Sequence, residues 1–166
     1  MTEFDITPEM EERAKVKSRR HGDIKNSIRK GRGNLAGYLG EEIVMANIGD
    51  CLEHNTYNYD IIRFPDTDFQ YTIDVKTKER TVEPKEFYTT HVASTSLHQK
   101  VDIYIFCQVI IKRPPKRGWV LGWMQKEEYL DKAKFMKAGE PDEYGWENRV
   151  DGYVMKISDL NPISEL

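Results

Sequence analysis

Leu35, Leu39, Ile43 and Ala46 recur at intervals of three and four residues, the spacing that gathers side chains on one stripe of a helix. Asn34 stands where an N-cap belongs and Gly49-Asp50 closes the pattern, so a helix is predicted over about 35–48. An earlier helix is predicted from Thr7-Pro8, which supply a capping hydroxyl and a proline at the first helical position. Glu9 and Glu11 lie in its first turn, and it runs to about Arg20. Asp23 or Asn26 opens a short further helix, which Gly31 and Gly33 interrupt. Past Asp50 the period drops to two. Residues 57–64 and 69–76 are rich in aromatic and β-branched side chains and flank Pro65-Asp66-Thr67-Asp68, which predicts a β-hairpin. Residues 80–99 are polar and irregular, with a helical turn after Glu83-Pro84. The clearest strand is 101–111 (VDIYIFCQVII): Val101, Ile103, Ile105, Cys107 and Val109 share one face, and Asp102, Tyr104, Phe106 and Gln108 the other. A basic turn at 112–118, a strand at 119–124, a helix over 126–136, a loop over 138–149 and a short strand at 152–157 complete an α/β pattern.

Composition narrows this to one domain. The chain has 166 residues, 39% of them hydrophobic and 32% charged, enough for a single core and too few for two large ones. Cys51 and Cys107 make no disulfide framework and have no partner at metal-finger spacing, which suits a reducing compartment. No apolar leader opens the chain and no window approaches the roughly 18 apolar residues of a membrane span, so a cytoplasmic protein without a membrane partner is expected.

The net charge of -3 argues against a nucleic-acid binder until it is divided. From Glu11 to Gly33 there are nine Lys and Arg against three acids, while residues 34–166 carry -6. A basic arm therefore precedes an acidic body. Lys15, Lys17, Arg19, Arg20, Arg29, Lys30 and Arg32 in the arm, with Arg113, Lys116 and Arg117 in the later basic turn, are candidate phosphate contacts. A solvated helix face explains the arm as well.

The hairpin carries the candidate chemistry. Asp74 and Lys76 project from one face of its second strand, with Val75 on the other. Opposed residues of a hairpin are numbered symmetrically about its turn, and residue 67, midway between Asp60 and Asp74, falls inside the predicted turn. Two facing carboxylates with Cβ atoms roughly 5 Å apart repel. A hard cation such as Mg²⁺, commonly held by one or two carboxylates plus substrate phosphate, removes that cost. Lys76 adds a positive charge that stabilises a phosphoryl transition state or orients the attacking water. A surface salt-bridge cluster of Asp60, Asp74 and Lys76 is the plain alternative.

The stretch YDIIRFPDTDFQYTIDVKTKE, preceded by a helix bearing GYLGEEIV, resembles the PD-(D/E)xK nuclease superfamily. Asp60 matches its first metal-binding Asp, Asp74 its second acid and Lys76 its lysine, although Tyr59 stands where the family has proline. Glu41 or Glu42 matches its helix glutamate. Glu41 is favoured for the close-packed face it would share with Gly37, Gly40 and Val44, while Glu42 lies between Leu39 and Ala46. The resemblance covers about residues 34–124. It implies a restriction-endonuclease-like αβββαβ core, a mixed sheet flanked by helices, with 1–33 a basic helical extension and 34–166 one nuclease-like domain. It also implies a Mg²⁺-dependent deoxyribonuclease, with Mn²⁺ able to substitute. Asp60, Asp74, Glu41 and the Val75 carbonyl would hold the metal, Lys76 would assist catalysis, and Gln108 would support the site unless it is simply a polar residue on a half-buried strand. An endonuclease is favoured. A junction-resolving enzyme or end-processing exonuclease, and a non-catalytic DNA-binding protein of the same fold, are the alternatives. GWVLGWM at 118–124 resembles small phage-encoded members, which would work in the host cytoplasm, and the Trp and Tyr content permits a homodimer.

Overall fold

Thr7 begins the first helix as its spacing predicts: the Thr7 hydroxyl accepts the Met10 N–H at 3.2 Å, satisfying one of the donors that a helix start leaves open. The computed structural model describes residues 1–21, 34–54, 56, 58–145 and 147–166. In chain order these form β1 (Thr2–Asp5), α1 (Pro8–His21), α2 (Asn34–Asn47), β2 (Cys51–Glu53), β3 (Ile61–Arg63), β4 (Tyr71–Glu79), β5 (Thr89–Ala93), β6 (Ile103–Ile110), β7 (Arg117–Gln125), α3 (Lys126–Lys132), β8 (Lys134–Met136) and β9 (Gly152–Lys156). The short helix expected near Asp23 or Asn26 lies outside the described residues, as do Arg29, Lys30 and Arg32.

Two sheets result. The larger has the order β1-β7-β6-β4-β3-β2 and the smaller β5-β9-β8. In the larger sheet β4 and β6 run parallel and all other neighbours antiparallel, so it is mixed, as expected. The chain passes from β4 to its parallel neighbour β6 through β5 and a short 3₁₀ turn at Ser94–Ser96, with no α-helix in that crossover. Both faces of β6 are buried, which explains its near-continuous apolar run. Ile103, Ile105, Cys107 and Val109 join Ile73 and Val75 of β4 and Leu39, Ile43 and Val44 of α2 in one core. Tyr104, Phe106 and Ile110 join Val92, Leu121, Tyr129 and Met155 in a second core beneath the smaller sheet.

Residues 1–21 are built into this body. β1 pairs with β7 at the sheet edge and Ala14 of α1 is fully buried in the first core. The segment expected as a polar, irregular loop over 80–99 holds β5, and the helix expected over 126–136 stops at Lys132, where β8 begins and pairs with β9. Both are short edge strands, each with a single antiparallel pairing to β9 at long sequence separation, so local propensity carries little of their stability.

Gly40 sets how closely α2 lies on β4. A Cβ there would collide with the Thr77 hydroxyl, whose buried oxygen has no hydrogen-bond partner. Gly40→Ala is expected to cost about 1–3 kcal/mol through this overpacking. For a chain of this size each kcal/mol lowers Tm by about 2–4 °C, which thermal unfolding of the variant reads directly.

Candidate active site

The β3–β4 register pairs Ile61 with Ile73, Ile62 with Thr72 and Arg63 with Tyr71. Asp60 stands just before β3, outside this register, and its N–H donates to the Ile73 carbonyl at 3.0 Å. The Asp60 carboxylate is fixed by the backbone of the facing strand, because the Val75 N–H donates to its Oδ2 at 2.8 Å. Ile61, Ile73 and Val75 enter the first core, and strand alternation turns Asp74 to the opposite side of the sheet.

Burial raises the Asp60 carboxyl well above its ordinary range, and the Asp74 and Glu41 charges raise it further. The Asp74 charge acts directly on the Asp60 carboxyl, so ionising both favours a proton or another cation beside them. Asp74 is 4% exposed and ion-pairs with Lys76, two residues along the same face. Lys76 also donates to the Gln99 Oε1 at 3.1 Å, and its ammonium lies 5.7 Å from the centre of the Tyr104 ring. The Lys126 ammonium donates to the Leu97 carbonyl at 2.9 Å and also to that of Gln99, tying the Gln99 segment to the start of α3. Lys76 is therefore held from two sides.

Both helix glutamates are buried, but they differ in partners. Glu42 receives Arg13 Nε at 2.6 Å and Lys17 Nζ at 2.7 Å, both from α1. Glu41 faces the hairpin acids: its Oε2 is buried without a hydrogen-bond partner, and burial pushes its pKa up to about 7. Lys17 lowers it while Glu53 and Asp74 raise it further. Glu42→Gln is therefore expected to lower thermal stability, because Lys17 keeps only Glu53 and the Arg13 pair is lost, whereas Glu41→Gln leaves Tm near the parent's or higher. Thermal unfolding of the two variants separates these roles.

The expected support residue Gln108 sits elsewhere. It lies beside Lys78 in the β4–β6 register, is 1% exposed, and donates Nε2 to the Val82 carbonyl at 2.7 Å, so its amide holds the chain after β4. The expected phosphate contacts divide as well. Lys17 bridges Glu42 and Glu53, each at 2.7 Å; Lys15 and Lys116 both pair with Glu11; and Arg117 pairs with Glu3 and Glu83. Arg19, Arg20 and Arg113 are exposed.

Two further residues near the acids carry no mark in the sequence motif. Tyr38, one helical turn before Glu41, has its hydroxyl pKa raised by burial, with the Glu41 and Asp60 charges adding to it. Gln99 lies in the segment that the sequence presents as solvated loop. The i, i+3 spacing of Tyr38 and Glu41 was a readable signal; nothing local marked Gln99.

Among the described residues no three His, Cys, Asp or Glu side chains converge as a preformed metal cage. The donor set nevertheless suits a hard cation: oxygen ligands only, two neighbouring carboxyls that raise each other's cost of charge, one cation beside them, and a third carboxyl with an unpartnered oxygen. Neither a scan against protein-family models nor searches of curated proteins and of solved structures finds a match to this chain.

Proposed function

We propose that the protein is a divalent-metal-dependent nuclease that hydrolyses phosphodiester bonds of DNA. The observation that carries this reading is the pairing of a half-buried Asp60 with a buried Asp74, whose charges oppose each other, with Lys76 beside Asp74 on its strand face. Structural acids are seldom buried against each other, because each ionised carboxylate raises the cost of the other. The chain order α2, β2, β3, β4 and then parallel β6 supports a restriction-endonuclease-like core, in which a crossover through β5 takes the place of a helix.

Asp60, Asp74, Glu41 and the Val75 carbonyl would hold the metal, Mg²⁺ or Mn²⁺, which when bound supplies Lewis-acid polarisation of the phosphoryl group and an acidified water. The remaining work falls to the chain itself. The Val75 N–H aims the Asp60 carboxylate, α2 delivers Glu41, and Asp74 with Gln99 holds the Lys76 ammonium beside the acids. Lys76 presents preorganised N–H donors to the charge that develops on phosphorus-bound oxygen, a stabilisation worth most in a partly dry site.

The test is cleavage by the purified protein of duplex, single-stranded and branched DNA in Mg²⁺ or Mn²⁺, with a chelator control. Metal-dependent cutting of at least one substrate is expected, and failure on all of them contradicts the proposal.

A further inference from the structure

Tyr104 carries a hydroxyl that packing does not explain. β4 and β6 run in parallel register, with Ile73 beside Ile103, Asp74 beside Tyr104 and Val75 beside Ile105. The isoleucines and Val75 enter the first core, so alternation turns Asp74 and Tyr104 together to the other face. There Tyr104 is fully buried in the second core. Its ring meets that of Tyr129 edge-on at 5.9 Å and lies 6.2 Å from that of Phe106, which stacks on Tyr129 at 5.0 Å. The Lys76 ammonium covers it from the Asp74 side, 5.7 Å from the ring centre. The ring is held by these neighbours, and its hydroxyl is held with it.

That hydroxyl is buried without a hydrogen-bond partner among the described residues. Such a group costs free energy, and phenylalanine would fill the same aromatic cluster without the cost. The neighbouring Tyr129 shows the ordinary arrangement: its hydroxyl meets Thr90 Oγ1 at 3.0 Å and donates to the Tyr153 carbonyl at 3.2 Å. Burial raises the pKa of the Tyr104 hydroxyl and the Asp74 charge adds to it, so the group keeps its proton and remains a donor.

Asp74 has the matching need. In the metal-free protein its carboxylate is ion-paired with Lys76. The chemistry proposed above asks Lys76 for N–H donors directed at substrate, and every one spent on Asp74 is withheld from it. A carboxylate that ligates a metal is ordinarily oriented by a hydrogen bond from outside the ligand set. On the face of β4 and β6 that carries Asp74, Tyr104 holds the buried donor that has no partner.

We propose that Tyr104 is a positioning residue for Asp74: with a divalent cation bound, its hydroxyl donates to the Asp74 carboxylate in place of one Lys76 N–H, which is left for substrate. The inference rests on the nuclease reading above and adds to it a residue that the sequence motif does not mark. Donor and acceptor already stand side by side in the register, so the exchange is one of side-chain rotation. Gln99 continues to hold the Lys76 ammonium while it takes place.

The experiment is calorimetric titration of Mn²⁺ into the parent, Tyr104→Phe and Tyr129→Phe, with the Tm of each metal-free protein measured alongside. Tyr104→Phe should bind Mn²⁺ about 10–100-fold more weakly, the usual loss when a hydrogen-bond partner of a metal ligand is removed. Its metal-free Tm should equal or exceed the parent's, because the group removed has no partner to lose. Tyr129→Phe should do the opposite, with Tm lowered through its lost hydrogen bonds and Mn²⁺ affinity unchanged. Mn²⁺ should also perturb tyrosine absorbance in the parent and in Tyr129→Phe, and less so in Tyr104→Phe. Parent-like Mn²⁺ affinity in Tyr104→Phe, or weaker binding that comes with a lower metal-free Tm, overturns the role given to Tyr104. A parent whose Mn²⁺ affinity depends on Tyr104 but which cuts no DNA keeps that role and removes the nuclease reading; a parent that cuts DNA, with Tyr104→Phe binding Mn²⁺ and cutting equally well, does the reverse.

Discussion

Lys76→Ala lowers metal-dependent cleavage by about 10²–10³-fold, the loss typical of removing one preorganised donor from a developing oxyanion. The ammonium is held between Asp74 and the Gln99 amide, so it is positioned before substrate arrives and spends little on ordering when it acts. Its side chain is 19% exposed, and truncating it leaves the apolar core intact but Asp74 without its cation, so Tm should fall while circular dichroism keeps the parent's folded signature. A kcat that falls while DNA affinity is retained places Lys76 in the chemical step. An equal loss of affinity with kcat unchanged would make it only a phosphate anchor.

Asp60→Asn abolishes cleavage and makes the metal-free protein more stable. The amide oxygen can still accept the Val75 N–H, so the bond between the strands survives while the buried charge is removed. The sign follows from the raised pKa values. Asp60 and Glu41 bind protons more readily folded than unfolded, so their contribution is fully present below the ordinary carboxyl range and is lost as pH rises through the folded values, about 7 for Glu41. Metal-free parent should therefore be less stable at pH 8 than at pH 5 in chemical denaturation, and Asp60→Asn should lessen that decline. Each pKa unit removed is worth about 1.4 kcal/mol. Mn²⁺ at 100 times its Kd should restore about 2.7 kcal/mol to the parent and little to the variant, and calorimetry in two buffers should show protons released as the metal binds. Equal stability of parent and variant at pH 8 would mean that the two carboxyls do not repel.

The candidate site was more legible than the fold around it, for a physical reason. Asp60, Asp74 and Lys76 are linked by period-two alternation and by the symmetry of a hairpin about residue 67, both local rules, and the β3–β4 pairs from Ile61 onward are symmetric about that residue. Glu41 and Glu42 could not be separated in the sequence because the difference lies in what α1 brings: Arg13 and Lys17 neutralise Glu42 from 29 and 25 residues away. The same ion pairs recast the arm. Its charge sign was readable, but Lys17 reaches Glu42 and Glu53 through tertiary packing that no local pattern encodes. β5 hid for a similar reason, since Thr89, Thr90 and His91 look polar until Val92 is seen in the second core and β9 alongside. Gln108 looked like a site residue because strand alternation gave its face correctly; its partner, the Val82 carbonyl, is set by the chain after β4.

Cleavage of labelled DNA by the parent and by Asp74→Ala, side by side in Mg²⁺, tests the central claim most directly. The account predicts cutting by the parent that a chelator stops, and none above background from a folded Asp74→Ala protein. Equal rates for the two proteins would contradict it.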